Sequence, residues 1–247
     1  MEKVYELYLV LRDSKPKIWR TLQVNQKMSV AEFAYIALVL FEMQASHLFK
    51  VIVPKGAMLV EEYRKKLGTE FDEQSFKKEH PEIHTIKYKY ELLDMIDSQF
   101  ISNKGNDIIH NVCKEKLKHA ISMIGEYMEL WYDFGDDWFI DIKLKDIFDA
   151  DDSNILPSVI DGEGFGIIED CGGIWRLNDI IKAFKSKKSK AYQEYRDWLG
   201  IDDFDFSLFE IEEMNQRLQV IPKIYKLSYE DKIPPTDQEV DYIERRK

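Results

Sequence analysis

Carboxylates and one thiol are the residues of this chain whose types and spacing could do chemistry. Asp133, Asp136, Asp137 and Asp141 fall in one run, and Asp161, Glu163, Glu169, Asp170 and Cys171 in a later one. Hard cations take oxygen ligands, so carboxylates converging from two loops could hold Mg2+ or Mn2+ and serve phosphoryl-transfer chemistry. Asp161, Asp170, Cys171 and His47 are the candidate ligands for such a divalent metal. The plainer reading, which is preferred, gives these acids to turns. In it Asp133 and Asp136 cap a hairpin, Asp161 closes a Gly turn, and Asp170 accepts N–H bonds at the next one. No catalytic residue is assigned.

The elements that must position these groups begin with a hairpin. Met128, Leu130, Tyr132 and Phe134 alternate with Tyr127, Glu129, Trp131 and Asp133, the period of two of a half-buried strand. Trp138, Ile140, Ile142 and Leu144 repeat it on a second arm. Gly135 tolerates positive φ and Asp136 accepts turn hydrogen bonds, so the chain is expected to reverse there.

Upstream, Val4 to Leu11 and Ile18 to Val24 read as strands joined across Ser14-Lys15-Pro16-Lys17. Arg20 shares a face with Ile18 and Leu22, and is expected to snorkel to water rather than to pair with a carboxylate. Ser29-Val30-Ala31-Glu32 is a capping-box pattern. The helix it opens carries an apolar stripe of Phe33, Ile36, Ala37 and Leu40, suited to packing on a sheet. His47 then precedes a strand from Leu48 to Val53, and a lone His there is more often structural than a ligand.

From Pro54 to Asn111 the text changes and reads as an insertion. It holds a solvated helix around Glu61 to Lys66, a strand within Ile83 to Leu93 and a turn from Ser102 to Asp107. Pro81 disfavours helical geometry for the His80 and His84 pair, so no metal is assigned to them. Val112 to Ile124 reads as an amphipathic helix. After the hairpin come an acidic loop from Asp146 to Asp152 and a Gly-rich loop from Asp161 to Gly166. The latter lacks a phosphate-loop lysine, and Asp149 to Asn154 lacks the calcium-loop glycine and glutamate. Helices are expected at Leu177 to Phe184 and Tyr192 to Leu199, and from a capping box at Ser207 to about Gln219. The remaining 220–247 reads as a partly ordered charged tail.

Composition narrows the partners. The 247 residues carry 35 Lys plus Arg against 46 Asp plus Glu, a net charge of -11, which repels a phosphate backbone. Nucleic acid is therefore a poor default partner, and the lysines between Lys182 and Lys190 read as a solvated basic linker. Cys113 and Cys171 stand far apart without metal spacing, which fits a reduced cytoplasm. No apolar run approaches bilayer length, and the first residues open a strand pattern, so neither export nor membrane insertion is expected.

Several motifs together carry a resemblance. Tyr132-Asp133-Phe134-Gly135-Asp136-Asp137-Trp138, Asp161-Gly162-Glu163-Gly164 and Glu169-Asp170-Cys171-Gly172-Gly173 occur in order. They are joined by Lys15-Pro16-Lys17-Ile18-Trp19-Arg20, Ser46-His47-Leu48-Phe49, Trp198-Leu199-Gly200 and Asp203-Phe204-Asp205. From about Val4 to Gln219 the chain resembles the plasmid pRiA-type third-open-reading-frame family, which includes TnpR-like passenger proteins of insertion elements. The resemblance implies association with plasmids or mobile elements and no defined reaction. Related sequences commonly add a Cys and further histidines near these motifs. Here Gly166-Ile167-Ile168, Phe49 or a neighbour, and Ile140 stand instead, which reduces any soft metal site to His47 and Cys171. A recombinase activity is not carried over, because an early nucleophilic Ser among arginines is missing.

The expected fold is α+β: a mixed, mainly antiparallel sheet with a β-grasp-like start, helices on one face and a helical C-terminal extension. Residues 1–219 form a single domain, with the insertion at about 54–111. Binding is placed ahead of catalysis, through exposed Trp131, Trp138, Phe165 and Trp175 with an acidic rim that suits a protein partner. The candidate binding residues are Arg20, His47, Tyr132, Asp133, Asp136, Asp137, Trp138, Asp161, Glu163, Glu169, Asp170, Cys171 and Trp175. The alternative is a divalent-metal enzyme acting on a phosphate ester. A metal enzyme needs its carboxylates within coordination distance of one another, whereas a binding module needs aromatics exposed in one patch.

Overall fold

Alternation of apolar and polar residues builds the sheet, and one long strand sits near its middle. The computed structural model describes residues 2–93, 106–151 and 155–245. Strand β7 (Trp138–Asp149) lies between β6 (Tyr127–Tyr132) and β1 (Lys3–Leu11), and buries Trp138, Ile140, Ile142 and Leu144 on the core face. Beyond β1 come β2 (Trp19–Asn25) and the edge strand β8 (Ser158–Glu163). Beyond β6 come β3 (Phe49–Val53), β4 (Tyr88–Glu91) and β5 (Ile108–Asn111). The order is β5-β4-β3-β6-β7-β1-β2-β8, antiparallel throughout except for β4 with β5. The mixed, mainly antiparallel sheet and the α+β class are as expected.

Helix α1 (Val30–Leu40) starts at the expected capping box, with the Ser29 hydroxyl and the Glu32 carboxylate each accepting a backbone N–H at the other's position. The expected apolar stripe is too narrow a description. All of α1 except Glu32 is buried, because the C-terminal helices cover the side turned away from the sheet. These are α7 (Ile211–Leu218) and α8 (Ile221–Lys226), followed by a π-helical turn (Leu227–Asp231) and α9 (Asp237–Ile243). The segment after residue 219 is thus not a loose tail. Ile221, Ile224, Tyr225 and Tyr229 enter the core at helical spacing, and Thr236 caps α9 in a second capping box.

Other expectations fall to competing hydrogen bonds. Val112 to Ile124 makes only the single turn α4 (Leu117–Ala120), because its backbone pairs with the chain entering α1. Val30 N donates to Glu115 O, Ala31 N to Val112 O and Leu117 N to Met28 O. Ser207 does not cap α7. Its N–H and hydroxyl are both held by the Asp205 carboxylate, and the helix starts three residues later behind Glu210. The acidic loop is strand as far as Asp149, since β7 continues past a bulge opposite Glu6 and Leu7 to pair with the start of β1. Asp161, Gly162 and Glu163 likewise lie in β8 rather than in a loop.

The insertion contributes α2 (Lys55–Leu67), α3 (Glu73–Glu79) and the last two strands on one side, β4 and the edge strand β5, so it widens the sheet. The expected turn at Ser102 to Asp107 lies mostly outside the described residues. Helices α5 (Gly173–Ser186) and α6 (Lys190–Leu199) cover the two expected segments, α5 starting four residues earlier and running into the expected linker, and Gly200 ends α6 in the left-handed region. Among the described residues, no helix is long and apolar enough to cross a membrane.

Candidate metal centre

Three loops meet where β6 ends, β3 begins and α5 is about to start. Asp133 follows β6 with φ 51° and donates its N–H to Leu48 O at 3.0 Å, which sets its side chain beside His47. The turn closes through Asp137 N donating to Asp133 O at 2.8 Å, with Asp137 at φ 54°. Positive φ therefore falls on two aspartates, which tolerate it, and not on Gly135 as the sequence suggested. Asp133 Oδ1 accepts from Gly135 N at 2.9 Å, while Oδ2 lies 3.7 Å from His47 Nε2.

Asp136 does not serve its own turn. Its Oδ2 accepts the N–H groups of Gly172 at 2.9 Å and Gly173 at 3.1 Å, fastening the loop before α5 to the hairpin. Glycine is required at 173, where φ is 84° and a Cβ would stand 2.6 Å from Asp136 O. The fastened loop presents adjacent carboxylates in opposite directions. Glu169 turns inward, accepting from the Tyr132 hydroxyl at 2.7 Å, the Ser46 hydroxyl at 3.3 Å and Gln44 N at 3.0 Å. Burial raises its pKa above the ordinary carboxylate value, with those hydrogen bonds opposing the rise. Asp170, at φ 55°, turns outward, and its Oδ1 stands 3.2 Å from His47 Nε2.

His47 thus faces three carboxylates. The third is Glu169, whose Oε1 lies 3.8 Å from Nε2. The imidazole meets the Tyr132 ring edge-on at 5.9 Å, and the His47 carbonyl accepts a hydrogen bond from the Tyr229 hydroxyl of the π-helical turn. One ligand atom each from His47, Asp133 and Asp170 lies within 4.8 Å of the others. Around a cation bound at about 2.0–2.2 Å, tetrahedral donors stand about 3.4 Å apart. The separations of 3.2 and 3.7 Å from His47 Nε2 to Asp170 and Asp133 fit that spacing. Asp133 is nearly buried and Asp170 is 76% exposed, so the cluster is anchored on one side and open on the other.

The remaining candidates go elsewhere. Cys171 is buried with Sγ directed at Gly173 O, and burial, helped by the Asp136 charge, pushes its thiol up to about 12. It is not among the converging donors. Asp161 and Glu163 sit on edge strand β8, with β2, β1 and β7 between them and β6.

Arg20 is fully buried and neither snorkels nor pairs with a carboxylate. Nε donates to Leu40 O, Nη1 to Trp19 O and Glu163 O, and Nη2 to Gly164 O and Phe165 O, at 2.6 to 3.0 Å. The guanidinium also lies over the Phe209 ring at 3.7 Å. Burial lowers its pKa from the ordinary value, with Glu42 opposing.

The aromatics expected to form an exposed patch do not. Trp138 is fully buried, Phe165 packs edge-on against Phe204, and Trp131 is flanked by Phe139, Phe134 and Lys50. Trp175, at 74%, is the largely exposed member of the four. The buried Glu169, its Tyr132 and Ser46 partners and the Tyr229 anchor shape the cluster as much as His47, Asp133 and Asp170 do. Of these the sequence marked Tyr132 and Glu169 without their mutual bond.

The eight-stranded sheet with its helical cover and helical C terminus defines an α+β protein of one architecture. The chain belongs to the plasmid pRiA4b ORF-3-like protein family, whose model matches residues 3–213. It is 28% identical over 85 residues, 34% of this chain, to the uncharacterized protein y4hQ of Sinorhizobium fredii, and the match spans 43% of that protein's length. Its fold is similar to that of the protein of unknown function MM3350 from Methanosarcina mazei Go1. The TM-score is 0.63 at 20% identity, covering 86% of this chain and 98% of that one.

Proposed function

We propose that the chain is a divalent-metal-dependent hydrolase of a phosphate ester, with His47, Asp133 and Asp170 as ligands. The observation that carries this reading is the convergence of one imidazole nitrogen and two carboxylates from three separate loops at coordination spacing. One nitrogen with two oxygens suits Zn2+ or Mn2+ better than Mg2+, which favours an all-oxygen shell. Three protein ligands with an exposed side leave a position for water, the arrangement of catalytic rather than structural sites. A bound cation would supply Lewis acidity. Hydrolysis then forms one P–O bond from water and breaks the ester P–O bond, with a proton passing to the departing alcohol. Glu169, held inward by Tyr132, Ser46 and Gln44, keeps the loop carrying Asp170 in place. The absence of a shared patch among Trp131, Trp138, Phe165 and Trp175 weighs against a docking module built on them. The family's plasmid association supports placing the activity in service of a mobile element.

The test is elemental analysis of tag-free protein, with thermal melts in EDTA and in added Zn2+, Mn2+ and Mg2+, followed by turnover of aryl phosphate mono- and diesters. Stoichiometric metal that is lost in His47→Ala and Asp170→Ala supports the centre. Metal binding without turnover of either ester class removes the hydrolase, and the absence of any bound metal removes the whole reading.

A further inference from the structure

The outward face of the sheet carries a second feature, separate from the metal centre. Across β1, β7 and β6 the register sets Tyr8 opposite Lys143 and Lys143 opposite Tyr127, so a lysine stands in line between two tyrosines. The next row along the sheet is Val10, Asp141, Glu129 and Ile52. Together with Arg12, Pro54 and Lys87 these residues line a hollow of about 420 Å³. At about 4.8 Å between strands, the four strands beneath it span about 14 Å.

The charges inside the hollow are unevenly satisfied. Arg12 holds both carboxylates: Nε donates to Asp141 at 3.1 Å and Nη2 to Glu129 at 2.5 Å. Lys143 and Lys87 have no ion-pair partner among the described residues, although the chain has an excess of acids. Lys17 adds a further ammonium 5.1 Å from the Tyr8 ring centroid. The unpaired Lys143 ammonium, set between two aromatic rings and beside an apolar floor, matches a ligand that is anionic at one end and planar at the other.

We propose that this hollow binds a small phosphorylated molecule with a planar ring system, of the size and chemistry of a mononucleotide. Lys143 meets the phosphate, Tyr127 or Tyr8 stacks on the ring, and Arg12 offsets part of the charge of the two carboxylates on the floor.

Isothermal titration in EDTA, which takes the metal centre out of play, tests this with AMP, adenosine and inorganic phosphate as probes. AMP is expected to bind saturably and to weaken with added salt. Lys143→Ala should weaken it about tenfold, as loss of one charge-assisted hydrogen bond would. Tyr127→Ala should weaken AMP more than phosphate, and Asp170→Ala should leave it unchanged. Lys143 and Tyr127 are exposed, so their variants are expected to fold, and circular dichroism checks it. No saturable AMP binding, or affinity unchanged in Lys143→Ala, overturns the proposal. Adenosine binding as tightly as AMP overturns the anion half, and phosphate binding as tightly overturns the ring half.

Discussion

Tyr132 donates a 2.7 Å hydrogen bond to Glu169, tying the end of the central hairpin to the loop before α5. The carboxyl it meets is buried, and burial raises its pKa above 4.5. A group with a raised folded-state pKa stabilises fully below its unfolded value and loses that contribution as pH rises through the folded one. The stability of the wild type relative to Glu169→Gln should therefore fall as pH rises from about 4.5 upward. Urea midpoints at a series of pH values, in EDTA, measure it. A difference that stays flat or grows with pH would sink the assignment.

The proposed metal centre makes a sharper demand. Asp170 is exposed and among the described residues bonds only to His47, so Asp170→Ala should cost the apo protein at most about 1–2 kcal/mol, the penalty of an alanine at its φ of 55°. At a hundredfold excess over Kd, metal should stabilise the wild type by about 2.7 kcal/mol and the variant by far less. Asp161→Ala and Glu163→Ala, on β8, should keep the full metal response. Melts of the four proteins with and without Zn2+ or Mn2+ decide between them.

Much of the fold was legible because its signals were local. The alternation around the hairpin, the Ser29 capping box and the Gly200 stop each depend on residues a few positions apart. What could not be read was set by distant partners. Nothing near Arg20 announces five carbonyl acceptors, since three of them come from Glu163, Gly164 and Phe165. Lys114 to Ile121 has helical text but spends its backbone bonds on the entry to α1. At the candidate site the acids were visible as a group, but their sorting was not. Asp136 goes to two glycine amides, Glu169 turns inward, and Asp161 and Glu163 go to the far edge, leaving Asp133 and Asp170 with His47.

Arg20 supplies a prediction free of metal. Its five donors meet five carbonyl oxygens in the core, so Arg20→Met removes the guanidinium from all of them, at about 1–3 kcal/mol for each one left unpaired. The variant should lose most of the fold's stability. Arg20→Lys should recover only part, because an ammonium has three donors and no planar fork. Expression with urea unfolding by circular dichroism reads both. A Met variant within 1 kcal/mol of wild type would mean the carbonyls find water instead.

The C-terminal helices should be indispensable to both core and centre. Ending the chain at Gln219 would strip the outer side of α1 and uncover the space filled by Ile221, Ile224, Tyr225 and Tyr229. Each large apolar side chain lost from burial removes about 1.5–3 kcal/mol, and four together rival the whole stability of a domain this size. Truncation should thus leave the protein unfolded or aggregated, where a loose tail would be lost without consequence. Tyr229→Phe isolates the finer effect. It keeps the ring that stacks on Tyr35 at 5.5 Å but deletes the hydroxyl that holds the His47 carbonyl. The expected cost is about 1 kcal/mol in stability, with weaker metal binding because His47 is less firmly placed. Urea unfolding of apo protein and metal titration of the folded variant separate the two. A stability loss with unchanged metal affinity would make Tyr229 a core residue without influence on the centre.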